Sequence, residues 1–205
     1  FANQGQICLC GSRIFVEEAI YEKFKVDFIQ KVKRLKVGHP SEQTTTVGAL
    51  VSKSHLEKVA SYIKIAEDEG GKILLGGLEV TVPNYENGYY LQPTIIEIDT
   101  NNCRINQEEV FGPVVTIMSF KTDAQALALA NDVTYGLSAT VWTNNLNRTM
   151  QFSQQLQTGI VWINTWMLRD LRTPFGGVKA SGVGREGGFE ALRFFTEPKN
   201  ICIKY

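Results

Sequence analysis

The sequence predicts the α/β fold class, with three layers in which a mainly parallel sheet is covered by helices on both faces. Segments typical of strands and of helices alternate along the chain, as they do in parallel sheets built from successive strand–helix units. Two apolar runs, VVTIMSF at residues 114–120 and GIVWIN at residues 159–164, lack the polar alternation of a half-exposed strand. Such runs are typical of strands that are buried on both faces, which favours a parallel sheet.

The first half of the chain gives clear signals for a strand and two helices. Residues 13–17, RIFVE, are rich enough in β-branched and aromatic side chains to predict a strand. A helix with one apolar stripe follows, and the stripe consists of Ile20, Phe24, Phe28, Val32 and Leu35. Ser54 is predicted to cap a second helix that ends at Gly70-Gly71. The predicted buried face of this helix consists of Leu56, Val59, Ile63 and Ala66.

The remaining elements follow in alternation. Strands or extended segments are predicted at KILLGG, YYLQPTIIEID, LSATVW and the two apolar runs, and helices at AQALALAN, NRTMQFSQQLQ and EALRFF. Thr122 and Gln125 form a predicted capping box for the helix AQALALAN. The final NICIKY is predicted as an exposed or partner-paired strand. We therefore divide the chain into one domain, residues 1–195, and a C-terminal strand, residues 196–205.

Composition excludes several classes of function. Lys plus Arg and Asp plus Glu both number 21, so the formal net charge is zero, and the chain lacks the basic footprint of proteins that bind nucleic acid or anionic membranes. No apolar run approaches the ~18 residues of a membrane-spanning helix. No signal peptide is recognisable, and four cysteines do not make a disulfide framework, so we expect a cytoplasmic location.

The cysteines and histidines give no metal-site pattern. Cys103 and Cys202 are isolated, and the two histidines, His39 and His55, stand far apart in sequence. Zinc sites need ligand pairs at short, regular spacings, so no metal site is predicted. A cysteine hydrolase would require His39 or His55 to reach Cys8, and neither lies in a recognisable partner motif.

A glycine motif near the C-terminus matches a dinucleotide-binding pattern in sequence but lacks the structural context of that pattern. GVGREG at residues 182–187 fits G-x-G-x-x-G, but a true fingerprint follows a strand, opens a helix and has an acidic residue ~20 positions later. VKAS is a poor strand, and 18 residues follow Gly187. We interpret the segment as a tight loop whose backbone approaches a ligand or a partner closely.

Three groups of side chains are candidates for a functional site, and the residues alone do not decide whether they form one. Cys8 precedes a possible helical turn, which would lower the pKa of its thiol, although a free cysteine is more often a small buried hydrophobe. Glu108 and Glu109 would serve as an acid–base pair only if both faced one cleft. Arg169 follows a predicted parallel strand, where a guanidinium can bind a substrate carboxylate, and Arg172 is a second candidate.

Taken together, three ordered motifs resemble the NAD(P)-dependent aldehyde dehydrogenase superfamily. FANQGQICLCGSRIFV is similar to the active-site cysteine motif of that family, and QEEVFGPVV to a second hallmark. NTWMLRDLRTPFGGVKASGVGREGG resembles its C-terminal hallmark. The resemblance covers the whole chain but only the later part of the family's length, so it implies the catalytic domain of a longer enzyme, without the NAD-binding domain.

The resemblance implies a role for several residues. Cys8 falls on the catalytic position, where its thiolate attacks the aldehyde and the resulting thioester is later hydrolysed, while Cys10 is a packed neighbour. Cofactor-binding positions correspond to Glu109, Phe111, Lys58 and His55, and substrate-binding positions to Arg169, Ile7, Leu9 and Phe175. The implied cofactor is NAD, with NADP as an alternative. The terminal strand resembles the segment that joins subunits, which implies a homodimer or homotetramer.

The same resemblance suggests a substrate and two alternatives. WMLRDL is closest to the branch that acts on muconic semialdehydes, above all 2-aminomuconate semialdehyde, whose carboxylate Arg169 would bind. Aldehydes of the betaine, retinal or hydroxymuconic semialdehyde type are alternative substrates. The family's general-base glutamate and oxyanion asparagine lie upstream of the cysteine motif, so we expect the isolated chain to be inactive or nearly so. A structural assembly module is the non-enzyme alternative.

Overall fold

The computed structural model describes all 205 residues, which form two compact units. Unit 1 comprises residues 1–133 and unit 2 comprises residues 134–205. None of the helices combines the length and the apolar character needed to cross a membrane. The separation of residues 196–205 as a functional segment stays a prediction.

Unit 1 contains a four-stranded sheet with helices on both faces. Its elements are β1 (Arg13–Glu17), α1 (Glu18–Val32), α2 (Lys53–Asp68), β2 (Lys72–Leu75), β3 (Glu79–Val80), β4 (Tyr90–Leu91), β5 (Thr94–Glu97), α3 (Arg104–Gln107), β6 (Val114–Phe120) and α4 (Asp123–Asn131). The sheet order is β1-β6-β5-β2, with β1, β6 and β5 parallel and β2 antiparallel at the edge. The α/β fold class with a mainly parallel sheet is confirmed.

The two faces of this sheet bury different helices because side chains alternate along a strand. On one face, Ile96 packs in a cluster with Val59 and Ile63 of α2. On the other, the adjacent Ile95 packs with Val32 and Phe28 of α1. Both isoleucines are fully buried. The absence of polar alternation in the strands thus reflects a sheet that is covered on both sides.

The helices differ from the sequence predictions in detail. The predicted buried face of α2 is confirmed, since Leu56, Val59, Ile63 and Ala66 are all buried. Ser52, not Ser54, caps α2, with its hydroxyl accepting the His55 N–H at 3.2 Å. The stripe of α1 is wrong at Ile20, which is 56% exposed, because the neighbouring Tyr21 takes the inward-facing position in the first turn and packs against the sheet-facing cluster.

The predicted capping box of α4 forms only in part. The Thr122 hydroxyl accepts the Gln125 N–H at 3.2 Å, as predicted. The Gln125 side chain, however, accepts the N–H of Lys121 at 2.8 Å rather than that of Thr122.

Unit 2 is smaller and its sheets are shorter. Its elements are β7 (Tyr135–Gly136), β8 (Ser138–Val141), α5 (Leu146–Gln155), β9 (Ile160–Ile163), β10 (Val178–Lys179) and α6 (Gly188–Phe194). Strands β8 and β9 pair in parallel, and β7 and β10 pair antiparallel. Residues 196–205 form neither helix nor strand and are exposed. The predicted C-terminal strand is not confirmed, because a strand needs a neighbour and the chain provides none there.

Candidate active site

Cys8 lies at the surface of unit 1, in a tight turn that runs from Ile7 to Cys10. The turn is closed by a hydrogen bond from the Cys10 N–H to the Ile7 carbonyl, at 2.9 Å. Cys8 is exposed, Ile7 is half-buried and Leu9 is only 5% exposed. The buried Leu9 anchors the turn in unit 1, so the Cys8 thiol faces solvent.

Cys10 has a different environment, although it is only two residues away. It is half-buried, and its thiol donates to the Ala2 carbonyl at 3.6 Å. Burial raises the pKa of the Cys10 thiol. Since the thiolate is the reactive form, Cys10 is the less reactive partner, in line with its predicted role as a packed neighbour.

The segment before Cys8 is held in a strained turn, Ala2–Gly5. Asn3, Gln4 and Gly5 have φ values of 47°, 58° and 73°, in the left-handed region. The side-chain oxygen of Gln4 accepts the N–H of Gly48 at 3.1 Å. A Cβ atom on Gly5 would lie 1.9 Å from the carbonyl oxygen of Gly112. Only glycine allows this approach, which brings the cysteine segment against the turn at residues 108–113.

Glu108 begins that turn and is held by a cluster of side chains. Arg104 donates from Nε and Nη2 to its two carboxylate oxygens, at 2.7 and 3.0 Å. The Tyr62 hydroxyl donates to the same carboxylate at 2.5 Å. These bonds, the Arg104 pair first, lower the pKa of Glu108 to about 2.

Glu109 is arranged differently from Glu108. Its carboxylate is exposed and makes no ion pair within the chain. The Glu108 carboxylate is already bound by Arg104 and Tyr62, so it is not available for the acid–base pair considered from the sequence. Glu109 is the one that is free to receive a ligand.

Phe111 has an unusual backbone conformation, with φ of 59°. A bulky residue in the left-handed region costs about 1–3 kcal/mol and persists only where its surroundings impose it. Here the His55 Nε2–H donates to the Phe111 carbonyl at 2.7 Å. The two rings also make an edge contact, with centroids 6.3 Å apart.

Two further residues of α2 hold the same turn. The Lys58 ammonium donates to the Glu109 carbonyl at 3.0 Å. A Cβ atom on Gly112 would lie 2.7 Å from the methyl groups of Val59, so the backbone at Gly112 rests directly on the helix. The structure thus brings together all four residues predicted to bind the cofactor, but His55 and Lys58 contact the main chain of the turn.

The predicted substrate residues of unit 2 form a small stack. The Arg169 guanidinium lies 3.9 Å from the centre of the Phe175 ring, a cation–π contact. Its Nη2 is 3.7 Å from the carboxylate of Glu186. Phe175 and Glu186 face each other and exchange backbone hydrogen bonds of 2.8 and 2.7 Å. The Arg169 side chain is 26% exposed.

Arg172 is the less suitable of the two arginines. Its side chain is 89% exposed and is paired with Asp170, whose pKa this pairing lowers. The Arg172 guanidinium is therefore already bound to a carboxylate, whereas that of Arg169 has only a long contact with one.

Sequence reasoning missed the residues that support the turn at 108–113. Tyr62 and Arg104 hold Glu108, and Gly112 allows the turn to rest on α2. The spacing of four residues between Arg104 and Glu108 was an available signal, since such pairs are neighbours on a helix. Nothing in the sequence around Tyr62 indicates its contact 46 residues away.

Comparisons with known proteins agree with the motifs. A model of the aldehyde dehydrogenase family matches residues 1–201. The chain is 47% identical to 2-aminomuconic semialdehyde dehydrogenase of Bos taurus, an alignment that covers 100% of this chain and 43% of that protein. It is 43% identical to 2-aminomuconic 6-semialdehyde dehydrogenase of a Pseudomonas species, covering 100% and 42%.

A solved structure is also similar. Betaine aldehyde dehydrogenase of Staphylococcus aureus in complex with NAD+ superposes with a TM-score of 0.91 at 38% identity, over 94% of this chain and 38% of that one. The chain spans about two fifths of the length of the proteins it matches.

Proposed function

Because the chain belongs to the aldehyde dehydrogenase family, we propose that it forms the cysteine-bearing part of an NAD(P)-dependent enzyme that oxidises an aldehyde to a carboxylic acid. The observation that carries the proposal is the exposed Cys8, whose segment packs through Gly5 against the turn that bears Glu109 and Phe111. A nucleophile and candidate cofactor residues are thereby neighbours within one unit.

Cys8 is the proposed nucleophile. Its thiolate forms a bond to the aldehyde carbon, which gives a thiohemiacetal, and the oxidised product is a thioester that water hydrolyses to the acid. The Cys8 N–H makes no hydrogen bond within the chain. That N–H is therefore available to stabilise the negative charge that develops on the carbonyl oxygen.

Glu109 and Phe111 are the proposed cofactor residues. The exposed Glu109 carboxylate can accept hydrogen bonds from ribose hydroxyls, and the half-buried Phe111 ring offers an apolar surface beside a nicotinamide. These side chains fit NAD, which supplies the two-electron oxidation when bound. The NAD+ complex of the Staphylococcus aureus relative supports NAD as the cofactor.

We propose a carboxylated semialdehyde as substrate, with 2-aminomuconate semialdehyde as the specific candidate. Arg169 would bind the substrate carboxylate, because its guanidinium is oriented by Phe175 and its contact with Glu186 is long. The names of the two muconic relatives support this choice. For residues 196–205 we propose pairing with a second copy, since Ile201 and Ile203 are 71% and 65% exposed.

The proposal is tested by replacing Cys8 in the full-length protein. Cys8→Ser is expected to lower the rate of aldehyde-dependent NAD+ reduction about 1000-fold or more, because a serine hydroxyl has no activating base here. Cys10→Ser is the matched control and should change the rate less than about threefold, as the Cys10 thiol is half-buried and bonded to the Ala2 carbonyl. Equal losses in both variants, or no loss in Cys8→Ser, would contradict the assignment.

A further inference from the structure

One side of α2 binds the main chain of the turn at residues 108–113. His55 and Lys58 are three residues apart and so lie on the same side of the helix. His55 donates to the Phe111 carbonyl at 2.7 Å, and Lys58 donates to the Glu109 carbonyl at 3.0 Å. Both bonds engage carbonyl groups, which leaves the Glu109 carboxylate free, while the Phe111 ring makes an edge contact with the His55 ring.

We propose that His55 and Lys58 are positioning residues for the cofactor, which act by holding the backbone of residues 109–111. They fix the direction of the Glu109 carboxylate and the Phe111 ring. This inference rests on the proposed function in so far as the turn binds NAD.

The conformation of Phe111 explains why such support is needed. At φ of 59° the residue would relax to a negative φ if its carbonyl were released. A change of φ at this position rotates the carbonyl and redirects the ring and the residues on either side. The His55 bond to that carbonyl opposes the rotation directly, and the Lys58 bond holds the residue two positions earlier.

The position of Gly5 extends the effect to the nucleophile. Gly5 rests against the Gly112 carbonyl, and Gly112 rests on Val59 of α2. A displaced turn would therefore move the segment that leads to Cys8 as well as Glu109. Loss of the helix contacts is expected to raise KM for NAD+ and to lower kcat together.

The experiment compares paired substitutions in the full-length protein. His55→Leu and Lys58→Met remove the donors, and His55→Gln and Lys58→Arg keep one. The control is Lys64→Met, because Lys64 lies on the same helix and pairs only with the exposed Asp68. A lost hydrogen bond predicts a rise of about fivefold or more in KM for NAD+ for the first pair. The conservative variants should stay within about twofold of the wild type, as should the control.

A second measurement is independent of activity and of the cofactor. Hydrogen–deuterium exchange of the amides in residues 109–114 should be faster in His55→Leu and Lys58→Met, and unchanged in Lys64→Met. Lys58 is exposed, so Lys58→Met is expected to fold. This variant tests the inference if His55→Leu does not fold.

The outcomes separate this inference from the proposed function. Unchanged exchange and unchanged KM in both donor-free variants overturn the positioning role, and so does a His55→Gln variant as impaired as His55→Leu. Absence of aldehyde oxidation in the wild type contradicts the proposed function instead, while faster exchange in the donor-free variants would still support the holding of the turn.

Discussion

The turn at residues 108–113 and the loop at residues 166–175 both carry predicted site residues, but they are held in different ways. In unit 1, the turn rests on α2 and its Val110 is only 6% exposed. In unit 2, Leu168 and Leu171 are 74% and 76% exposed, and the loop is shaped mainly by short-range bonds such as Trp162 Nε1–H to the Leu168 carbonyl, at 2.9 Å.

The difference suggests a division of tasks. A turn built on a helix and a buried core tolerates little change, which suits a cofactor that is the same for every substrate. A loop with few buried contacts can change its side chains at little cost to stability, which suits the recognition of different aldehydes. Variants in the turn should therefore affect stability, and variants in the loop should affect substrate choice.

Gly112→Ala is expected to give the largest effect on stability. The new Cβ would lie 2.7 Å from the methyl groups of Val59, which is fully buried and cannot move aside. We expect a loss of about 1–3 kcal/mol in the free energy of unfolding, measured by urea denaturation. Gly11→Ala is the control, because its Cβ would meet no atom within 4 Å. Equal free energies of unfolding in the two variants would contradict the close packing of the turn against α2.

Arg169→Met should change specificity more than stability. Loss of a hydrogen bond to a charged group is expected to lower kcat/KM for a carboxylated semialdehyde about tenfold or more. For an uncharged aldehyde of similar length, kcat/KM should stay within about twofold of the wild-type value. Arg172→Met, in which the lost arginine was paired with Asp170, is the matched control. Equal losses for both aldehydes would show that Arg169 does not bind the carboxylate.

Glu108→Gln should give the smallest effect, and one that depends on pH. The pKa of Glu108 is about 2 in the folded chain, below its ordinary value of 4.5. Its ionised form therefore adds stability above about pH 4.5, and this stability is lost as the pH falls towards 2. The difference in Tm between wild type and variant should shrink over that range. The exposed Glu42, replaced by Gln, serves as control, and a difference that does not vary with pH would contradict the assignment.

Much of the fold was accessible from the sequence, because apolar runs and helical spacing are local signals. The strands at residues 13–17 and 114–120 and the buried face of α2 are confirmed. The choice of Ser54 over Ser52 as the cap was wrong because two serines lie within three positions and only the backbone conformation selects one. The sequence pattern could not show whether residues 196–205 form a strand, because a strand needs a neighbouring strand with which to pair.

The candidate site could be predicted only in part from the sequence. Motif resemblance singled out Cys8, Glu109 and Phe111, whose roles stay predictions, and the last two lie in one turn. It gave no account of why Glu108 and Glu109 differ, because that difference depends on the local Arg104 pair together with Tyr62, which is distant in sequence. The left-handed conformation of Phe111 was equally hidden, since the His55 bond to the Phe111 carbonyl comes from another element.

The extended backbone at Glu108, with φ of −114° and ψ of 153°, has a consequence for how the motif tolerates change in length. In extended backbone, consecutive side chains project to opposite sides. Deleting one residue between Arg104 and Glu108 would place Glu109 four positions after Arg104, so that Glu109 rather than Glu108 would be the neighbour of the guanidinium. The spacing of residues in this short segment is therefore as important as their identity.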